Sequence, residues 1–415
     1  MTLEYLNNKI STFYLVSLVT LAPYGIPGDA TIRLSDLFAL LLLSSGFTLL
    51  LYGKKISYRI MVAPLLLFIF LEFYTPIAGM ILYGTSSMTT SIRTILMWMP
   101  LILYWGLMDE DTDIVKKVDF VLKVGLTINL AIAMMQLLIS LGFLPEFLLP
   151  TYYLQIFAVD EQYKLYESFR SSGLFVNSTG LSLFATMAFI FYYSRTLTGF
   201  KNTTIWTFVA FILVLLTTSR TAVVFMVLVI FIGLFFANIK TKITVIISMT
   251  ILIGILLYIL DAYVGLESFF WRFQRVYDSG LLEDYSFGHR INVLWPSALD
   301  AVKDLPFGTL SSSPIVLGVI DSGYLTYYTQ GKWIFIFSLL YLLFYMFIRI
   351  FKRVKVEELK WIKLFISFLA FYILLAMVIT NPMRSQIIIV FIIISFMLLE
   401  QLKNKEVNEK NTLYS

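Results

Sequence analysis

Apolar runs of about 18 or more residues recur along the whole chain, and this feature leaves few folds open. Inside a bilayer no water reaches backbone N–H and C=O groups, so a crossing chain must satisfy them as helices or as a closed barrel. The runs are continuous, whereas a barrel strand alternates apolar with polar residues, so helices are expected. Composition agrees: 59% of the 415 residues are hydrophobic and 14% are charged, against about 45–50% apolar residues in a soluble domain. The expected fold class is an all-α polytopic membrane protein, one domain over residues 1–415 with about 12 transmembrane helices of ~20 residues each. Spans are expected near 12–27, 34–52, 60–83, 92–107, 118–141, 173–194, 203–218, 221–239, 243–264, 331–350, 361–380 and 385–402. The first apolar run, from Phe13 to about Ile26, lacks a small-residue cleavage site and is followed by further spans, so no cleavable signal peptide is expected.

Lysine and arginine in the short loops set the orientation. Lys54, Lys55 and Arg59 place one loop inside, and Lys116, Lys117 and Lys123 another. Arg195 with Lys201, Lys240 with Lys242, the set Lys352, Arg353, Lys355 and Lys360, and the tail with Lys403, Lys405 and Lys410 do the same. Both termini are then cytoplasmic. The stretch 200–242 is basic at both ends, so it must cross twice. Lys201 to Arg220 would make about 28 Å of helix, one bilayer core, which puts the turn at Thr217-Thr218-Ser219-Arg220 on the outer face. Two outer loops are long, 142–172 and 266–330. The second ends in DSGYLTYYTQGKW from Asp321, whose Tyr324, Tyr327 and Tyr328 suit a short interfacial helix.

Sorting the basic residues by side exposes an asymmetry. Outside fall Arg33, Arg93, Arg170, Arg220, Arg272, Arg275, Arg290 and Arg384, against only Lys164, Lys303 and Lys332. Inside, lysine dominates. Arginine presents a planar fork of donors matched to phosphate and carboxylate oxygens, at a lower hydration cost than an ammonium. Arg93, Arg170, Arg220 and Arg384 also lie at span ends, at headgroup depth. Such a set fits a diphosphate held at the membrane surface. Any one of these arginines taken alone fits equally well as a snorkelling residue or a partner of a lipid phosphate.

Glu72 lies mid-span, where an ionisable group is costly and often functional; pairing with Arg33 or Arg93 is its expected structural role. Asn129 and Gln136 read as interhelical hydrogen bonds. The chain has one histidine, His289, and no cysteine, so no metal site, disulfide or thiol chemistry is expected. His289 and Asp321 remain open as proton acceptors or as solvated loop residues. No P-loop, GxSxG or dinucleotide fingerprint occurs, which gives no support to nucleotide-driven transport or serine hydrolysis.

Four outward-placed stretches carry a resemblance: FRSSGLFVNSTGLSL at 169–183, LLTTSRTAVV at 215–224, GHRINVLWPSALDAVKDLPFG at 288–308 and DSGYLTYYTQGKW at 321–333. In their order and spacing they resemble the bacterial superfamily of O-antigen polymerases (Wzy-type) and O-antigen ligases. The resemblance implies a GT-C-like fold in the bacterial inner membrane and a metal-independent, cofactor-free, inverting glycosyltransferase. Donor and acceptor would be undecaprenyl-diphosphate-linked oligosaccharides on the periplasmic face, in polysaccharide and lipopolysaccharide biosynthesis. A chain-length regulator protein is a further candidate partner beside the lipid bilayer, and nucleic acid is not one. Arg170 then matches the arginine at the first loop's R-x-x-G, Arg220 the SR at the outer turn, and Arg290 the arginine before the loop's tryptophan-containing helix. Ligases usually carry His-Asn where this chain has Asp321-Ser322, which disfavours a ligase.

Cleaving the bond from the anomeric carbon to diphosphate develops negative charge that preplaced guanidiniums stabilise without reorganising. Arg220 and Arg290, with Arg170 beside them, are the expected holders of the diphosphate, and His289 or Asp321 would orient the acceptor. Arg93, Arg272, Arg275 and Arg384 are further expected substrate contacts. Tyr324, Tyr327, Tyr328, Trp271 and Trp295 offer flat faces to sugars or serve as interfacial anchors. The rival readings are a ligase, which would move the glycan to lipid A core, and a lipid-linked-oligosaccharide flippase, which would line a central cavity with charges and show two similar halves.

Overall fold

The apolar stretches each fold into a helix of their own. In the computed structural model the described residues are 2–20, 25–26, 29–57, 60, 62–84, 88–109, 112–145, 170–175, 177–200, 202–263, 274, 277, 280, 288–310, 322–353 and 360–413. The helices are α1 (Leu3–Thr20), α2 (Leu34–Leu51), α3 (Ala63–Tyr83), α4 (Met88–Leu107), α5 (Ile114–Ser140), α6 (Ser178–Leu197), α7 (Thr203–Leu216), α8 (Arg220–Phe236), α9 (Ile239–Tyr263), α10 (Trp295–Ala301), α11 (Gly323–Arg353), α12 (Lys360–Ile379) and α13 (Gln386–Leu413). A small antiparallel hairpin, β1 (Gly25–Ile26) and β2 (Asp29–Arg33), joins α1 to α2. Among the described residues, α3, α5, α11 as far as Phe351, and α12 are long and apolar enough to cross a membrane, and they mark a membrane protein. Shorter apolar segments lie in α2, α4, α7, α8 and α13.

Helix ends follow local chemistry. Asp113 caps α5 by accepting from the Lys116 amide at 3.0 Å, and Asn177 caps α6 through the Gly180 amide at 2.8 Å, each stabilising its helix by about 1 kcal/mol. Gly84 closes α3 in the left-handed conformation, φ 62°. The expected start of the first span at residue 12 is corrected: α1 begins at Leu3 and ends at Thr20, before the breakers Pro23, Gly25 and Pro27. Its polar first turns are held at the bundle end, where Lys117 of α5 donates to Asn8 and, at 2.7 Å, to Ser11.

Helix α6 lies at the centre, buried on all sides from Leu181 to Ser194, with α5, α7, α8, α9, α12 and α13 packed around it. On the outside, α9 turns Ile243, Ile246, Ile247 and Ile251 outward, and α8 turns Phe231, Phe235 and Phe236 outward. Exposed apolar area on this scale fits contact with lipid.

Helix α11 is two helices in one. At Gly331 (φ −153°, ψ 26°) and Lys332 (φ 53°, ψ −147°) the backbone leaves helical geometry. A short first segment, 323–330, therefore precedes the longer one, as expected from the sequence. The break frees the carbonyls at the end of the first segment, which need other donors. The segment after α10 supplies them: the Thr309 amide donates to Thr329 O at 2.8 Å and the Leu310 amide to Gln330 O at 3.0 Å. That docking needs Gly79 of α3, because a Cβ there would lie 2.1 Å from the Leu310 carbonyl oxygen. Gly79→Ala is accordingly expected to cost about 1–3 kcal/mol, the usual range for overpacking. A lowered unfolding temperature of the detergent-solubilised protein checks it, and an unchanged one would rule out this backbone approach.

Candidate functional site

Contacts tie several of the described basic residues into the bundle. At one end Lys54 pairs with Asp109 at 2.6 Å and with Glu4. Burial pushes the Lys54 ammonium down, the Asp109 and Glu4 carboxylates push it up further, and it is held above the usual lysine range. At the same end Arg195 binds Asp119 at 3.1 Å and lies between the rings of Phe200, Phe191 and Trp361, with 5.0–5.6 Å to their centroids. These cations lock helices together, and all of them belong to the loops expected inside.

Two of the arginines expected outside, Arg170 and Arg220, meet at the turn between α7 and α8. Its geometry starts in α5. Gln136, buried, accepts from the amides of Ser172 at 3.1 Å and Gly173 at 3.0 Å, while its own amide donates to Ser172 Oγ and Gly173 O at 3.3 Å. Two turns earlier Asn129 accepts from the Leu174 amide at 2.8 Å and donates to Val19 O of α1 and to Gly125 O. The expected interhelical role therefore holds for Asn129, and both side chains also clamp the backbone that follows Arg170. Glycine is required at 173, where φ is +57° and a Cβ would lie 2.6 Å from Asn129 Oδ1.

The clamped segment lies on the turn between α7 and α8. The Ser171 amide donates to Leu216 O at 3.0 Å and Arg170 Nε donates to Thr217 O at 3.3 Å. Three residues on from Thr217, Arg220 opens α8. The structure thus brings Arg170 and Arg220 onto one turn, and that turn lies at Thr217–Arg220, as the charge pattern requires. Helix α7 has 14 residues, about 21 Å, shorter than the expected span. Thr218 adopts φ +49°, a strained conformation for a β-branched residue, and its enclosed hydroxyl makes no hydrogen bond within the chain. Half-buried guanidiniums beside the positive end of a 17-residue helix suit an anion.

Arg290 opens a π-helical turn, Arg290–Leu294, that leads into α10. It is half-buried and His289 beside it is exposed. Helix α10 packs on α11, and Lys332 crosses the break to donate to Val302 O. The two described lysines expected outside have structural partners, Lys332 this carbonyl and Lys303 the carboxylate of Asp300 at 3.0 Å. Trp295 is half-buried at the start of α10. Tyr324 donates to Leu374 O of α12 at 3.0 Å, and Tyr328 lies edge-on to the exposed Trp333 at 5.2 Å. Tyr327 is buried, stacked on Phe335 at 5.3 Å and edge-on to Phe68 at 5.7 Å, so its ring offers no face to a sugar. Arg93 on α4 and Arg384, on the 3-10 turn Pro382–Arg384 after α12, are exposed. Arg272, Arg275, Trp271 and Asp321 lie outside the described residues.

Of the two arginines expected for Glu72, Arg93 is exposed and the Arg33 side chain lies outside what is described. Glu72 faces Tyr327 of α11 and the charge of Arg384. Nothing in the local sequence marks that pairing, because Glu72 and Arg384 lie at opposite ends of the chain. Helix α12 links the two halves of this end: it carries Tyr372 against Phe225 of α8, 4.7 Å between centroids, and its Thr380 O accepts from the Gly323 amide of α11 at 3.0 Å. No protein-family model matches the chain, and comparison with curated proteins finds no match.

Proposed function

We propose that the chain is a polymerase of lipid-linked oligosaccharide repeat units. It would transfer the growing glycan from undecaprenyl diphosphate to the non-reducing end of the next undecaprenyl-diphosphate-linked unit, on the periplasmic face of a bacterial inner membrane. The observation that carries this reading is the meeting of Arg170 and Arg220 on one turn, at the N-terminal end of α8. Guanidiniums fixed on short backbone turns match a diphosphate leaving group, whose charge grows as the anomeric bond breaks. The GT-C-like fold, the inverting course and the sidedness belong to this reading, and the four sequence stretches support it.

One gel separates polymerase from ligase. In a strain deleted for this chain, a polymerase leaves surface lipid bearing a single repeat unit, and a ligase leaves none. Restoration of a long-chain ladder by the wild-type chain is the expected result; bare surface lipid in the deletion strain would favour the ligase. The broken helix α11 with a carboxylate behind it also suits a transporter. A transporter mutant would instead strand lipid-linked units on the cytoplasmic leaflet, beyond the reach of an externally added glycosidase.

A further inference from the structure

The outward face of α11 carries a narrow row of large side chains. After the break at Gly331 and Lys332, Trp333, Phe337, Leu340, Phe344, Phe347 and Phe351 are each 37–62% exposed. They recur at alternate steps of four and three residues, the spacing of a seam along which one helix packs on another. All but Leu340 are aromatic. The outward face of α9 is aliphatic instead, with Ile243, Ile246, Ile247 and Ile251. Lipid tails are met as well by isoleucine as by phenylalanine, whereas flat rings add edge and face contacts with other rings.

A hydroxyl lies in the middle of this row. Tyr341 is 48% exposed; among the described residues its hydroxyl has no hydrogen-bond partner, and its ring meets Tyr345 edge-on at 6.4 Å. Tyr341 stands nine residues from Lys332 and eight from Arg349, the cations at either end of this segment, so about 12 Å of helix separates it from the nearer one. Neither headgroup layer is within a phenol's reach, and hydrocarbon accepts no hydrogen bond. Whatever covers the row must offer a polar group at mid-membrane depth.

We propose that this row is the contact between two copies of the chain, paired in parallel about a twofold axis along the membrane normal, with their Tyr341 hydroxyls bonded to each other. A second copy inserts with the same topology, so its Tyr341 arrives at the same depth; a lipid tail brings no such group. A hydroxyl is donor and acceptor at once, so the two satisfy one another across the axis. In a twofold contact the row meets itself, Phe344 near Phe344, and the rings interleave as knobs into holes. Trp333, at one end of the row, lies edge-on to Tyr328 at 5.2 Å. The axis therefore also sets the two α11 breaks beside each other. The pairing does not depend on which reaction the protein catalyses.

The chain has no cysteine, so single introduced cysteines report proximity without background. Phe337→Cys, Phe344→Cys and Ile247→Cys are each made in the full chain and oxidised with copper phenanthroline in membranes. The first two are expected to give a band at twice the chain's 47.8 kDa on a non-reducing gel, holding this chain alone by mass spectrometry. Ile247→Cys, outward on α9, is expected to stay monomeric. Tyr341→Phe removes only the hydroxyl. Chains labelled at an added C-terminal cysteine and reconstituted in phosphatidylethanolamine–phosphatidylglycerol vesicles, at falling ratios of protein to lipid, read the monomer–dimer equilibrium by energy transfer. The variant is expected to pair about threefold to tenfold more weakly. Cross-linking as frequent at Ile247→Cys as in the row, a cross-linked band that holds a different protein, or no energy transfer in the wild type at the highest protein density would each overturn the pairing. Tyr341→Phe pairing as tightly as the wild type would overturn the hydroxyl contact, and with it the reason for preferring a second copy to lipid.

Discussion

Arg220→Ala is expected to abolish long glycan chains while the protein still inserts, and Arg290→Ala to do the same. On the polymerase reading each guanidinium lies where negative charge develops, and removal of one such preorganised donor costs about 100–1000-fold in rate, ~2.7–4 kcal/mol. The fold has little reason to follow. Arg220 is the first residue of α8, where alanine is a good helix former, and Arg290 sits at the edge of a short loop helix. The measurement is a gel of surface glycan from a deletion strain complemented with each variant, with an immunoblot of membranes as the control for insertion. Normal ladders from either variant would remove that arginine from the site. Lysine at the same positions asks what the group contributes. An ammonium keeps the charge and loses the fork, so full activity in Arg220→Lys would mean that charge alone matters.

Gln136→Leu is expected to have the next largest effect, through the loop it holds. Its carbonyl oxygen is the acceptor for two buried amides, Ser172 and Gly173. Leucine would leave both unpaired at about 1–3 kcal/mol each, so ~2–6 kcal/mol in total. The segment would loosen, and with it Arg170, which reaches the α7–α8 turn only because residues 171–174 are pinned behind it. A lower unfolding temperature, faster amide exchange at Ser172 and Gly173, and loss of chain growth should appear together. Faster exchange with full activity would show that Arg170 needs no fixed position.

Much of the fold is legible in the sequence because the bilayer imposes it. Long apolar runs can only be helices, and lysine-rich loops fix which ends belong together. The turn at Thr217–Arg220 follows from charge alone, since two basic ends on one side force an even number of crossings. The start of α1 is not legible in this way. Asn7, Asn8 and Lys9 precede the apolar run, and only the packing shows Lys117 and Tyr104 of other helices donating to the Asn8 side chain. The site was half legible. Local motifs point to Arg170 and Arg220, whose neighbourhood is set by short segments. The Glu72, Tyr327, Asn381 and Arg384 grouping depends on how α3, α11 and α12 pack, and no spacing along the chain encodes that.

The enclosure of α6 bears on how the protein is made. A helix that meets lipid must be greasy; α6 meets only protein, so Ser182, Thr186 and Ser194 are tolerated in its middle turns and at its end. Two of its flanking helices, α12 and α13, leave the ribosome well after it. Until they arrive α6 stands open on one flank, with polar groups turned to the membrane. Biogenesis is therefore gated from the C-terminal side, and a nascent chain halted before Lys360 should be a quality-control substrate whatever the state of its outer loops.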